Sequence, residues 1–441
     1  MGKRLICLVL GLVMLIMGSA SAELAAEKKD AEGSRQLEQV LVLSRHNIRA
    51  PLSNSGSAIG ELTPHAWMNW SAPGSELTLK GAIAEMRMGQ YFRKWLESEN
   101  LIPENYIPAE GEVLFYANAR QRTIATARSF ATGLMPIANV TIEYDGAIGD
   151  SNPVFKPVMD FTSEKYLAAV VEDLNQRYGF KDPDSEFNRR LAESFALIAD
   201  VLDYRESNGF KSGEYTEWTT ADTVIGLTVG KEPSVKGSLN TAYAAADALL
   251  LQYYEEDAKD AAFGKELTEE EWGRIADVYS SHIALRFMSP LVAINGAHQM
   301  LEEILAELNH AGRKITFLCG HDSNLSTVLG ALDATDYELT GTLEKRAPIG
   351  GKLVFEKWRG DDGAAYGRLR MIYPGTKQLR ETLPLTLEEP PMSCVIHVPG
   401  TTIDADGFCP LPELTDSIQK AIDAYDDLQR EYGEEAADNA A

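Results

Sequence analysis

Val40-Leu41-Val42-Leu43-Ser44-Arg45-His46-Asn47-Ile48-Arg49-Ala50-Pro51 is the stretch whose reading decides the fold. Its first four residues form a short apolar run, with Gln39 before it and Ser44 after it, the pattern of a buried strand that ends where polar residues begin. The reactive side chains therefore fall at the strand's carboxyl end, where open α/β sheets bind their ligands. Arg45 and Arg49 bring positive charge and His46 brings a nucleophile or base. Pro51 fixes a turn that carries Arg49 back toward the strand end. The run suits an anion. Taken alone, however, a His between two Arg residues is more often a solvated loop than a catalytic group.

A second strand end far downstream repeats the design. Lys314-Ile315-Thr316-Phe317-Leu318-Cys319-Gly320-His321-Asp322-Ser323-Asn324 is another apolar strand that turns at Gly320, presents His321 and Asp322, and runs into Leu325, Val328 and Leu329 at helical spacing. Ser323 or Asn324 is placed to cap that helix. Between the two sites, Val113-Leu114-Phe115-Tyr116-Ala117-Asn118 reads as a third strand, and Arg122 opens a helix over 123–134. Three strand ends thus offer three Arg, two His and one Asp.

These residues resemble the signature of the histidine acid phosphatases, an Arg-His-Gly-x-Arg-x-Pro run near the start and a His-Asp pair far downstream. The likeness continues in one order through Gln121-Arg122-Thr123, Leu251-Gln252-Tyr253-Tyr254-Glu255, Ala347-Pro348-Ile349-Gly350-Gly351-Lys352 and Ile403-Asp404-Ala405-Asp406-Gly407-Phe408-Cys409. Asn47 stands where most of the family has Gly, a change shared by the bacterial glucose-1-phosphate branch that the chain resembles. Asn is among the residues that best tolerate a left-handed backbone, so the turn is expected to survive.

The resemblance implies a phosphoglycerate-mutase-like open α/β sheet with an inserted, mainly helical cap. It implies a secreted acid phosphatase that hydrolyses phosphomonoesters, glucose-1-phosphate and related sugar phosphates, through a phosphohistidine, with no metal and no cofactor. His46 is then the nucleophile and Asp322 the proton donor, with Arg45, Arg49, Arg122 and His321 holding the phosphoryl group. Glu232, in Lys231-Glu232-Pro233, aligns with an acidic residue that faces the leaving group in that branch; the plain alternative is a solvated loop Glu. Two other readings stay open: a phytase-like phosphatase of inositol phosphates, and a secreted phosphosugar-binding protein. The acidity of the chain argues against the first, and binding alone needs neither the nucleophile nor the acid.

The start of the chain has its own pattern. Lys3 and Arg4, the thirteen-residue apolar run Leu5 to Met17 and then Ala20-Ser21-Ala22 read as a signal peptide over 1–22, which predicts export to the periplasm. The run is too short to span a bilayer, so no membrane attachment is expected afterwards. Cleavage leaves 39 Lys plus Arg against 66 Asp plus Glu, a net charge of −27 that repels nucleic acid. A phosphate site on such a chain must gather its positive charge into one cleft. Three cysteines remain, and an odd number leaves at least one thiol free. Cys319 reads as a core thiol. Cys394 and Cys409 are the pair available for a bridge, although the family's usual partner of Cys409 falls nearer to it.

Residues 23–35 have no apolar period and read as a leader. The pattern then predicts an α/β unit over 36–150, a helical cap over 151–288, a second part of the α/β unit over 289–433 and a disordered tail over 434–441. Helices are expected at 78–96, 163–178, 185–204, 239–254, 269–288, 290–310 and 415–433, with a capping box at Thr268 and Glu271. Further strands are expected at 352–358 and 369–372. No His-Glu-x-x-His, paired-Cys spacing or Gly-rich loop with Lys suggests zinc or nucleotide chemistry.

Overall fold

The computed structural model describes residues 35–52 and 58–433, so the signal expected over 1–22, almost all of the leader and the tail over 434–441 lie outside the described residues. The chain opens with β1 (Arg35–Arg45), then α1 (Leu79–Ser98), β2 (Val113–Ala117) and α2 (Gln121–Leu134). Next come α3 (Glu164–Tyr178), α4 (Glu186–Val201) and a small hairpin of β3 (Val224–Gly226) and β4 (Ser234–Lys236). α5 (Ser238–Glu255), α6 (Glu269–Phe287) and α7 (Pro290–Leu308) lead to β5 (Ile315–Gly320) and α8 (Asp322–Ala331). β6 (Lys352–Gly360), β7 (Ala365–Tyr373), β8 (Met392–Val395), β9 (Cys409–Pro410) and α9 (Leu411–Tyr432) complete it. A few short helical turns lie between these elements.

The main sheet runs β2-β5-β1-β6-β7-β8, with β9 also on β7. β2, β5 and β1 are mutually parallel, and the strands beyond β1 are antiparallel. Register sets the site: Arg45 pairs with Gly320 and Ala117 with Cys319, so the three strands predicted to carry reactive residues end flush. The apolar run of β1 is continuous because both faces are covered. Leu41 and Leu43 pack with Met300, Leu329 and Ile418 of α7, α8 and α9, while Val40 and Val42 pack with Phe92 and Phe130 of α1 and α2. A third cluster joins α3 to α6 through Tyr166, Phe195, Leu249 and Trp272 and takes in Ile48 of the motif loop. It therefore clamps that loop from outside the sheet.

Several expectations need correction. β1 begins at Arg35, and Gln39 is not its polar boundary but a buried strand residue whose Nε2 donates to Glu307 O at 2.7 Å. α8 starts at Asp322, so neither Ser323 nor Asn324 is its cap; Asn324 sits in the first turn and accepts from His321 N at 2.9 Å. The Gly- and Thr-rich stretch before α5 contains the β3–β4 hairpin. All three described cysteines are free. Cys394 and Cys409 both flank β7, opposite Met371 and Gly367, four residues and thus about 13 Å apart along the strand, too far to bridge. The capping box at Thr268 and Glu271 is present as expected. Among the described residues, no helix is long and apolar enough to cross a membrane.

Candidate active site

His46 leaves β1 still tied to the sheet. Arg45 N donates to Gly351 O at 2.9 Å and His46 N to Gly320 O at 3.0 Å, so the motif is held by both neighbouring strands. The imidazole Nδ1 lies 2.9 Å from Asn47 O. A carbonyl only accepts, so Nδ1 carries the proton and Nε2 keeps its lone pair. Burial pushes the His46 pKa well below the ordinary value, and the charges of Arg122, His321, Arg49 and Arg45 push it the same way. The ring therefore stays neutral in acid.

Asn47 is not in a left-handed conformation; it contributes its side chain. Oδ1 accepts from Ile48 N at 2.9 Å and Nδ2 donates to Glu85 Oε2 at 2.9 Å. Gly350, at φ +67°, makes room for this amide, because a Cβ there would come within 2.7 Å of Asn47 Nδ2. Glu85 in turn pairs with Lys352 Nζ at 2.7 Å, both side chains wholly buried, and Lys352 also donates to Ser44 Oγ and Gly350 O at 3.1 Å. A buried ion pair thus underpins the loop that carries the histidine.

The predicted arginines differ in role. Arg45 is buried beneath the site: Nη1 donates to Ala347 O at 2.5 Å, Nη2 lies 3.8 Å from Asp322 Oδ2, and the guanidinium covers the Tyr279 ring at 5.2 Å. Burial opposes its charge, but Tyr279 and Asp322 outweigh that and raise its pKa. Arg49 is braced by Asp247 of α5 at 3.1 Å. Arg122 sits where α2 begins, its pKa brought down to about 10 by burial and by Arg49, and so remains charged in acid. Its Nη2 lies 3.4 Å from His321 Nδ1, while His321 Nε2 lies 2.7 Å from the Asn118 amide. Arg122 and the Asn118 amide nitrogen can only donate, so a neutral His321 ring accepts from one of them at a time, and Asn118 is the nearer.

Asp322 faces the cavity at the start of α8. Burial alone would raise its pKa, but Arg45 and a hydrogen bond from the Tyr279 hydroxyl to Oδ2 hold the carboxyl well below the usual range. His46 and His321 stand edge to face with ring centroids 5.4 Å apart. His46, Arg49, Arg122, His321, Asp322 and Glu232 line one cavity of about 380 Å³. Glu232 is not free: Arg286 of α6 pairs with its Oε2 at 2.8 Å and donates to Pro233 O at 2.7 Å. A larger cavity of about 560 Å³ runs along α4 beside Trp218, and none of the motif residues reaches it.

The sequence reading missed Asp247, Glu85, Tyr279, Arg286, Arg120 and Lys156. Two of them left a signal. Asp247 is a lone acid in the apolar run Ala244-Ala245-Ala246-Asp247-Ala248-Leu249, and Glu85 falls on the apolar face of α1. Such positions are expected to be paired when buried. Tyr279 and Arg286 look like ordinary helix residues.

The family model of the histidine phosphatase superfamily (branch 2) matches residues 36–223. The chain is 33% identical over 415 residues to a glucose-1-phosphatase of Salmonella typhimurium, covering 93% of this chain and 98% of that one. A glucose-1-phosphatase of Providencia rettgeri is 32% identical, with 89% and 94% covered. Among solved structures, Hafnia alvei phytase in complex with tartrate superposes with a TM-score of 0.79 at 27% identity, over 88% of this chain and 97% of that one.

Proposed function

We propose, on the premise that this chain belongs to branch 2 of the histidine phosphatase superfamily, that it hydrolyses sugar phosphomonoesters, glucose-1-phosphate among them, through a phosphohistidine on His46. The chain is a phosphomonoester hydrolase; the substrate and the residue roles are the proposal. The observation that carries it is a neutral imidazole, its Nε2 lone pair unblocked, beside guanidinium groups and a carboxyl in one cavity. A receptor for phosphosugars would need the arginines alone.

The proton inventory gives the mechanism. In the free enzyme His46 is neutral and Asp322 ionised, so the enzyme itself holds no proton for the leaving oxygen. The ester supplies it, since a phosphate monoanion, with a second pKa near ~6, carries one proton in acid. That proton passes to Asp322 as the anion neutralises the surrounding guanidinium groups. His46 Nε2 attacks phosphorus, the ester P–O bond breaks, and Asp322 protonates the departing alkoxide. Arg49 and Arg122 hold the equatorial oxygens by charge-assisted hydrogen bonds, and Arg45 acts from beneath through Asp322. His321 adds the N–H of its neutral ring as one further donor to the phosphoryl group. Water then attacks phosphorus, giving one proton to Asp322 while the P–N bond breaks; Asp322 passes that proton to the departing phosphate, which leaves as the monoanion with the carboxyl ionised again. Splitting one displacement into two is what a nucleophilic side chain contributes.

The helices between 151 and 288 serve as the cap over the strand ends: Asp247, Tyr279 and Glu232 all come from that stretch and meet the cavity or its motif. The signal read over 1–22 supports a secreted, periplasmic enzyme. The test is phosphate release at acid pH, in chelator, from glucose-1-phosphate, phytate and nitrophenyl phosphate, with acid quenching to trap label. Label on His46, chelator-resistant turnover and glucose-1-phosphate above phytate are expected. Full turnover by His46→Ala would overturn the mechanism.

A further inference from the structure

We propose that the cavity walled by Trp67 and Trp70 binds a neutral hexose ring, at a site separate from the catalytic centre. The ring is a free sugar or the exposed end of a glycan. Binding there does not depend on turnover at His46.

Charge is the first ground. The cavity is about 450 Å³, a volume usual for a small-ligand site. Charged residues make up 24% of the chain, yet among the described residues none of the ten that line this cavity is charged. The catalytic cavity, the cavity along α4 and the one beside Arg35 are each lined by several charged side chains. A phosphate entering the Trp-walled cavity would leave its hydration and find no counterion. The lining therefore selects a neutral molecule.

The second ground is the mixture of surfaces. Trp70, Asn69 and Ser71 line the cavity, and among the described residues no hydrogen bond occupies the indole N–H, the amide or the hydroxyl of these three. They offer one pure donor and two groups that both donate and accept. An indole face is electron-rich and apolar, so it stacks on the C–H face of a pyranose ring. The three polar groups then meet the hydroxyls at the ring's edge. An alkyl or aryl ligand would use the indoles and strip water from the polar groups without replacing it.

Mounting is the third ground, because a loop site binds well only when its walls are fixed beforehand. Trp67 Nε1 donates to Ile59 O at 3.3 Å, and the ring meets Phe263 edge to face at 5.1 Å. Met68 N donates to Oε1 of buried Gln252 at 3.0 Å, and Gln252 Nε2 donates to Ala261 O at 2.9 Å. At the other end of the loop, Ser75 N donates to Pro51 O at 3.1 Å and Ala50 N to Glu76 O at 2.9 Å. The loop is thus pinned to α5 at one end and to the motif loop at the other. The two cavities stand back to back: Ser75 lines the catalytic one, Gly74 lines this one, and they share no lining residue.

Titration calorimetry with methyl glucoside, maltotriose and benzyl alcohol, in saturating inorganic phosphate, tests the site on the natural protein, Trp70→Ala, Asn69→Ala and the double variant. The natural protein should bind a sugar and prefer it to benzyl alcohol. Equal binding of the two sugars marks a single ring as the ligand, and tighter maltotriose marks a glycan end. Each single variant should weaken sugar binding roughly threefold to tenfold, as loss of a neutral contact implies, and the double variant more. Turnover of nitrophenyl phosphate should stay unchanged in all three. No sugar binding by the natural protein, tighter benzyl alcohol, or sugar binding that survives both substitutions would overturn the site. If Trp70→Ala fails to fold, a crystal of the natural protein soaked in maltotriose decides: a pyranose against Trp67 and Trp70 supports the site, and an empty cavity overturns it. A natural protein that binds sugar here without hydrolysing any ester would overturn the phosphatase reading and leave the site standing.

Discussion

The floor of the cavity and its mouth are built on opposite plans. At the floor three cations have fixed partners: Lys352 with Glu85, Arg49 with Asp247, Arg45 with Ala347 O and Asp322. At the mouth the side chains of Arg120 and Lys156 have none among the described residues, and the Glu232–Arg286 pair is partly exposed, at 33% and 18% of its side chains. In the proposed mechanism the floor meets the same phosphoryl group in every substrate, which suits a preorganised set of charges fixed before the substrate arrives. The mouth meets what varies, and its charges wait for a ligand. Breaking a buried pair costs far more than breaking an exposed one. Substitutions should therefore fall in effect from floor to mouth.

The largest effect belongs to Asp322→Asn. A positioned proton donor is worth roughly a hundredfold to ten-thousandfold, so hydrolysis of glucose-1-phosphate should fall by that range. Nitrophenyl phosphate, whose leaving group needs little protonation, should lose far less. The pH profile carries the sign. His46 is kept neutral and Asp322 ionised, so the proton enters with the monoanion, and kcat/KM for an alkyl ester should fall above a pH of about 6 as that proton is lost. Nitrophenyl phosphate should decline less steeply. Matching losses and matching profiles for the two esters would sink the role of Asp322.

Next comes Glu85→Ala, which leaves Lys352 charged and unpaired at zero exposure. The expected loss is about 3–5 kcal/mol of stability, read by denaturant unfolding, together with a fall in kcat as Asn47 loses its acceptor. Glu85→Leu with Lys352→Met should recover much of the stability and little of the rate. Recovery of both would mean that the pair holds the fold alone and does not position the loop.

A smaller change is Tyr279→Phe. It removes one of the donors that keep Asp322 ionised while leaving Arg45 in place, so the Asp322 pKa should rise toward the ordinary carboxyl value. A hydrogen bond to a charged group is worth roughly 1.5–3 kcal/mol, and about a tenfold loss of kcat on glucose-1-phosphate is expected. Carboxyl carbon titration of the free enzyme reads the shift directly. No movement of Asp322 would return Tyr279 to simple packing.

The same contrast governs what the sequence made legible. Arg45, His46 and Arg49, and likewise His321 and Asp322, each form a compact motif at the end of a recognisable strand, so both composition and place could be read locally. Register then brought them together, and the parallel pairing of β1 and β5 is what apolar runs without alternation imply. The partners come from elsewhere in the chain. Asp247 lies 198 residues from Arg49 and Asn118 lies 203 from His321, and no local pattern encodes such pairs. β8 and β9 were missed because strands of four and two residues are too short to show a period. Asn47 shows the reverse error: a residue explained by its backbone tolerance acts through its amide, which bonds Glu85 and Ile48 N.

The smallest effects, and the sharpest test of the contrast, lie in the Glu232–Arg286 pair. If Glu232 faced the leaving group as a free carboxylate, Glu232→Ala would weaken glucose-1-phosphate turnover relative to polyphosphorylated esters through a lost acceptor. With Arg286 at 2.8 Å the argument becomes one of charge. Glu232→Ala uncovers a cation at the mouth, and Arg286→Leu uncovers an anion, so the preference for a second phosphate should rise in the first and fall in the second. The pair is partly solvated, which limits each change to about 0.2–1 kcal/mol, or roughly 1.4-fold to fivefold in relative kcat/KM. The double variant Glu232→Ala, Arg286→Leu should lie near the natural protein, because it removes no net charge. Opposite signs with a silent double variant would mark the pair as a neutralising clamp. Loss of glucose-1-phosphate turnover alone in Glu232→Ala, with Arg286→Leu silent, would instead give Glu232 a direct contact with the sugar.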